Sequence, residues 1–84
     1  MYKLSKEIII NKLGNVYVAY DNSNQQMHEL NEVGYFILEE IEKKKSKKQI
    51  IDKLIEYYDV DRKKASDDLK KYVDILIGKK LVNK

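Results

Sequence analysis

Cysteine and proline are absent from this 84-residue chain, and histidine occurs once. Without thiols there is no disulfide framework and no thiolate metal site. His28 alone cannot assemble a zinc site of the finger type. No apolar run approaches the roughly 18 residues of a membrane span. The opening Met-Tyr-Lys-Leu-Ser-Lys-Glu lacks the long apolar stretch of a secretory signal. These absences imply a cytoplasmic protein with no membrane partner. Glycine is scarce as well: Gly14, Gly34 and Gly78 stand apart, so there is no glycine-rich phosphate loop. Of the 17 basic side chains only Arg62 is an arginine, against 14 acids, for a net charge of +3. Nucleic-acid binders draw on arginine, whose fork reads phosphate and guanine bidentately. The charge is therefore a weak argument for a nucleic-acid partner.

What is present is a hydrophobic fraction of 43%, enough for one core and too much for a disordered chain. The first 30 residues read as strands. Glu7–Asn11 carries three consecutive isoleucines, and Val16–Tyr20 is a second β-rich run. Leu13-Gly14-Asn15 and Asp21-Asn22-Ser23-Asn24 are turn signals. Gln25–Leu30 makes a third strand, with Met27 and Glu29 on one face and His28 and Leu30 on the other. Short loops between the three runs predict an antiparallel meander.

After Leu30 the apolar period changes from 2 to 3.6. Asn31 is a good N-cap, flanked by Leu30 and Tyr35 at the positions of a hydrophobic staple. Val33, Phe36, Ile37 and Ile41 then mark a helix ending near Lys43. Ser46 and Gln49 form a capping box for a second helix, which turns Ile50, Ile51, Leu54, Ile55 and Tyr58 inward. Asp59-Val60-Asp61 breaks it. Asp61 caps a third helix, Arg62 to Ile77, with a stripe of Ala65, Leu69, Tyr72, Val73 and Leu76. Gly78 suits the C′ position, and Leu81 and Val82 are expected to tuck back onto the core. The expected fold is α+β: a three-stranded antiparallel sheet followed by three helices, as one domain over residues 1–84.

Little here suits catalysis. Ser5, Ser23, Ser46 and Ser66 read as turn, cap or solvated residues. His28 has no metal-sharing partner and reads as a surface or edge residue. The basic run from Lys43 to Lys48 reads as a solvated loop. Three helices beside a strand element also raise a winged-helix DNA reader, with Arg62, Lys63 and Lys64 at the start of the third helix. Asp67, Asp68 and Asp74 on that helix would repel phosphate, and no basic wing follows it. A peptide-binding module fits better. Edge strands offer unpaired N–H and C=O groups, to which an extended peptide adds as a further strand.

Several stretches resemble the PqqD-like family. They are Leu30-Asn31-Glu32-Val33-Gly34-Tyr35-Phe36-Ile37, the segment from Ser46 through Tyr57-Tyr58-Asp59-Val60-Asp61, and Ala65-Ser66-Asp67-Asp68-Leu69 with Tyr72-Val73 and Leu76. Lys80-Leu81-Val82 stands where the family has glycine, leucine and an aliphatic residue, the glycine here being earlier, at Gly78. The resemblance implies a winged-helix-like, non-catalytic recognition element of ribosomally synthesised and modified peptide (RiPP) pathways. Such a stand-alone element binds the leader of a precursor peptide and presents it to a radical-SAM enzyme, a leader peptidase or another modifying enzyme. It needs no cofactor and is expected as a monomer or weak dimer. The family seats the leader on the third strand, against the third helix. The candidate strand residues are therefore Gln26, Met27, His28 and Glu29, acting mainly through backbone, with Leu30 at the strand end. On the helix, Ile75 lies off the core stripe, flanked by Asp68 and Lys71, with Tyr72 beside it. Lys70 and Ile77 form the alternative flank.

Overall fold

The computed structural model describes residues 2–84; Met1, which begins the expected domain, lies outside them. Strands β1 (Lys3–Leu4), β2 (Ile8–Leu13), β3 (Val16–Asp21) and β4 (Gln26–Leu30) precede helices α1 (Glu32–Glu42), α2 (Lys47–Tyr58) and α3 (Arg62–Gly78). A final strand, β5 (Val82–Asn83), closes the order.

The expected meander is present: β2, β3 and β4 form an antiparallel sheet in that order. Gly14, at φ 62°, opens the two-residue turn between β2 and β3, where a side chain would be strained. The turn after β3 is held by Asp21, whose carboxylate accepts from the Ser23 hydroxyl at 2.6 Å and the Ser23 amide at 3.0 Å. The hydroxyl bond leads in keeping this carboxyl below its ordinary range. β2 begins one residue later than expected, after Glu7 at φ 60°, and runs two residues beyond Asn11. Gln25, at φ 56°, belongs to the turn and not to β4.

The helix caps form as expected. Asn31 accepts from the Gly34 amide, Ser46 and Gln49 complete their box, and Asp61 accepts from the Lys64 amide. Asp59, in the left-handed region, ends α2. The helices bury Ile37, Leu38 and Ile41 of α1, Ile50 and Leu54 of α2, and Leu69, Val73 and Leu76 of α3. Each fully buried aliphatic side chain contributes about 1.5–3 kcal/mol. Ile8, Ala19 and Leu30 bring the sheet's inner face onto the same core.

Three expectations need correction. Gly78 is not the C′ residue: α3 runs through it, and the left-handed turn falls on Lys80 at φ 62°. The Leu81 amide then reaches the Leu76 carbonyl at 3.0 Å, which satisfies a terminal helix acceptor. His28 stands on an edge strand, as expected, but it is half-buried and not at the surface. It shares the inner face with Leu30, and its Nε2 is buried without a partner. Tyr58 turns only partly inward and donates to Glu32 at 3.0 Å. A second small sheet was not expected. In it β1 pairs with β5, Lys3 opposite Asn83 and Leu4 opposite Val82. This pairing fastens the chain's tail and buries Leu81 and Val82 as foreseen.

Candidate functional site

β4 is an edge strand, with β3 on one side and no strand on the other among the described residues. The ladder shows which of its groups are free. The Asn22 amide donates to the Glu7 carbonyl at 3.0 Å. These residues stand opposite each other in the register that pairs Ile8 with Asp21. Bonded and non-bonded pairs alternate along an antiparallel ladder. Val16, Val18 and Tyr20 therefore bond towards β2, while Tyr17, Ala19 and Asp21 bond towards β4. Their partners Leu30, His28 and Gln26 spend their backbone groups on β3. Met27 and Glu29 are left with N–H and C=O groups directed at the open edge.

Beside that edge lies a groove of about 150 Å³. Glu29 and Leu30 form its strand side, and Asn31 and Gly34 its floor. Tyr72, Ile75 and Leu76 of α3, with Lys79 as its C-cap, form the far wall. A side chain at Gly34 would place its Cβ 3.2 Å from Asn31 Oδ1 and 3.7 Å from the Tyr72 ring. Its absence lets α3 approach the start of α1. Across the junction, the Asn31 side-chain amide donates to the Tyr72 hydroxyl at 3.0 Å.

The expected residues divide on this geometry. Glu29, Leu30, Tyr72 and Ile75 come together in the groove. Ile75 is 42% exposed, an apolar side chain left outside the core. Gln26 and Met27 lie further up the edge, where Met27 is exposed on the outer face. His28 faces inward, so only its backbone position belongs to the strand, and that backbone serves β3. Lys71 sits one turn before Ile75 with its ammonium 5.4 Å from the Tyr72 ring centroid. Asp68 does not reach the groove and pairs with Lys64 at 2.8 Å. On the alternative flank Ile77 packs against the core and Lys70 is exposed.

Four groove residues were missed: Gly34 was not singled out for the site and Leu76 was read as core. Asn31 was read only as a cap. Lys79, the C-cap of α3, was left out of the site, although it continues the ridge of Lys71 and Ile75 at intervals of four. No group of three or more His, Cys, Asp or Glu side chains among the described residues could hold a metal ion. None of the helices is long and apolar enough to cross a membrane.

The fold has counterparts. The TbiB1 structure, solved in complex with the TbiA(beta) leader peptide, is 25% identical. It superposes with a TM-score of 0.85 over 96% of this chain and 94% of that one. Lasso peptide synthetase B1 complexed with the leader peptide is 20% identical, with a TM-score of 0.84 over 99% of this chain and 98% of that one. No curated protein matches the sequence significantly. The family of coenzyme PQQ synthesis protein D (PqqD) matches residues 16–82, which take in the whole of β3, β4 and the three helices. On this match, from the start of β3 to the first residue of β5, the chain belongs to the PqqD family.

Proposed function

We propose that the protein binds the leader of a ribosomally made precursor peptide without catalysis, seating it as an added strand on β4 against α3. The observation that carries this reading is the unpaired edge at Met27 and Glu29 beside a groove walled by Tyr72 and Ile75. Main-chain bonds along such an edge supply affinity, and the alternate side-chain pockets supply specificity. Family membership supports it, as does the leader peptide held by TbiB1. The bound leader is then presented, in the cytoplasm where it is made, to an enzyme that modifies or cleaves the precursor.

A DNA-reading role has no comparable support. Arg62 is engaged by Asp52 at 2.8 Å and Lys64 by Asp68 at 2.8 Å. The cations at the start of α3 are thus partly neutralised within the protein itself.

Calorimetric titration with the cognate precursor tests the reading. Saturable binding at micromolar strength or tighter is expected, with NMR shifts centred on Met27, Glu29 and Ile75. Absence of heat and of shifts at high peptide concentration would overturn it. Duplex binding that falls steeply with salt would favour the DNA role instead.

A further inference from the structure

On the other side of α1's first turn lies a second, larger cavity of about 320 Å³, open to solvent between the β2–β3 hairpin and helices α1 and α2. Its walls are aromatic. Phe36 stacks on Tyr57 with ring centroids 5.2 Å apart, and Tyr58 meets both rings edge-on at 5.7 and 5.0 Å. Tyr17 and Tyr35 form a second pair at 4.8 Å. Tyr17, Tyr35, Phe36 and Tyr58 also pack against the core, but core packing does not account for Tyr57, which is 66% exposed. Two carboxylates, Glu32 and Glu39, line the same cavity. Glu32 is fixed by the Tyr58 hydroxyl at 3.0 Å.

Aromatic faces carry negative potential and attract cations, most strongly where water is partly excluded. The cavity already displays this preference: the Lys12 ammonium lies 5.6 Å from the Tyr17 ring centroid. Against the two carboxylates the lining holds one cation, Lys12, so its formal charge is negative in a chain of net charge +3. Burial first, and then neighbouring glutamates, hold Tyr35 and Tyr58 above their ordinary range.

We propose that this cavity is a second binding site, which receives an arginine side chain from a partner protein. Guanidinium is planar, stacks on rings, sheds water more readily than ammonium and presents a fork of donors that matches a carboxylate. The cavity is open, with Tyr57 at its exposed rim, which suits a side chain presented on a protein surface better than a small free cation. A strand added at β4 does not occupy it. It draws on Lys12 of β2 and Tyr17 of β3, whereas the groove uses Glu29 and Leu30 of β4. The proposal is therefore independent of leader binding, and the two sites can be filled together.

The test is NMR titration of the full-length chain with Nα-acetyl-arginine amide, beside its uncharged isostere Nα-acetyl-citrulline amide. Saturable shifts of the Tyr17, Phe36 and Tyr57 rings are expected with the arginine probe. The citrulline probe should bind weaker by roughly fivefold, the scale of one exposed cation–π contact. Glu39→Gln and Tyr57→Ala should weaken arginine binding. Lys12→Gln should strengthen it, because an internal competitor leaves. Ile75→Ala, in the other groove, should leave it unchanged while weakening leader binding. Equal affinity for arginine and citrulline would overturn the proposal, as would insensitivity to Tyr57→Ala. Tetramethylammonium binding as tightly as arginine would make this a small-cation site and overturn the arginine assignment. The chain's own arginine is Arg62, held by Asp52. Self-association in sedimentation that disappears in Arg62→Lys would place a second copy in the cavity and overturn the partner assignment.

Discussion

Asn31 joins the two walls of the groove beside β4. Its side-chain oxygen accepts from the Gly34 amide at 2.8 Å, capping α1, while its side-chain amide donates to the Tyr72 hydroxyl of α3 at 3.0 Å. One residue therefore ends β4, starts α1 and ties both to the helix opposite. Asn31→Ala should cost about 1–2 kcal/mol, mainly through the lost cap. Tyr72→Phe, which removes only the partly solvated bond, should cost about 0.5–1 kcal/mol. Asn31→Asp keeps an acceptor for Gly34 and for the Tyr72 hydroxyl, and its charge suits a helix N-terminus. It should stay close to the parent protein. Urea midpoints check the order. An Asn31→Asp variant as unstable as Asn31→Ala would show that capping is not what this side chain supplies.

Proline substitutions should separate the two kinds of backbone position on β4. Met27 offers its N–H to the open edge, whereas His28 spends its own on Ala19 of β3. Met27→Pro should preserve the fold and abolish most leader binding, because the lost donor is one that only the peptide would use. His28→Pro should lower stability itself by breaking the native ladder. Met27→Ala should bind nearly as well as the parent. Circular dichroism with peptide titration distinguishes these outcomes. Equal binding losses for Met27→Pro and Met27→Ala would make side-chain contact, not strand addition, the source of affinity.

Much of this architecture is legible in local chemistry. The Ser46–Gln49 box, the Asp61 cap and the Gly14 turn are written in residues close to one another, and each forms as its sequence suggests. The β1–β5 sheet is not legible, because two-residue strands show no periodicity and their partners lie at opposite ends of the sequence. The inward turn of His28 was within reach: period-2 alternation puts it with Leu30, and the burial of Leu30 decides the face. The end of α3 was misplaced because glycine is the usual left-handed terminator. Here Lys80 adopts that conformation while Leu81 anchors the tail in the core. That error also hid Lys79. Ile75 was legible because it departs from the stripe of Leu69, Val73 and Leu76, and an apolar residue off the core stripe needs another reason to be there.

The α2–α3 corner should respond to acid. Asp52 accepts from Arg62 at 2.8 Å and Lys48 at 3.1 Å, and the Arg62 bond leads in holding its carboxyl below the ordinary 3.8. A carboxyl whose folded value is depressed adds stability above its unfolded value and loses it as pH falls through the folded one. The effect is therefore complete near neutrality and fades only below about pH 4. Arg62→Gln should raise the Asp52 midpoint towards 3.8 in a carbon-detected NMR titration. Asp52→Asn should flatten the acid limb of the stability curve. An Asp52 midpoint unmoved by Arg62→Gln would assign the depression to Lys48 instead.

Ile75 is where binding and folding part most cleanly. It is 42% exposed, lines the groove and contributes nothing to the buried core, whereas Leu69 two turns earlier is fully buried. Ile75→Ala should therefore weaken leader binding by about 1–3 kcal/mol, the range for losing an aliphatic contact that becomes buried only in the complex. Its folding stability should change by less than about 1 kcal/mol, since little area is exposed by the truncation. Leu69→Ala should behave in the opposite sense, costing about 2–5 kcal/mol of folding free energy through the cavity it leaves. Neighbouring charge refines the test. Lys71 and Lys79 stand one turn to either side of Ile75 along the same ridge, so reversing either to glutamate should change affinity and its salt dependence if acidic leader residues lie opposite. The decisive pair of measurements is the peptide dissociation constant and the urea midpoint of Ile75→Ala. A lowered midpoint with unchanged affinity would return Ile75 to a structural role and leave the wall of the groove to Tyr72, Leu76 and Lys79.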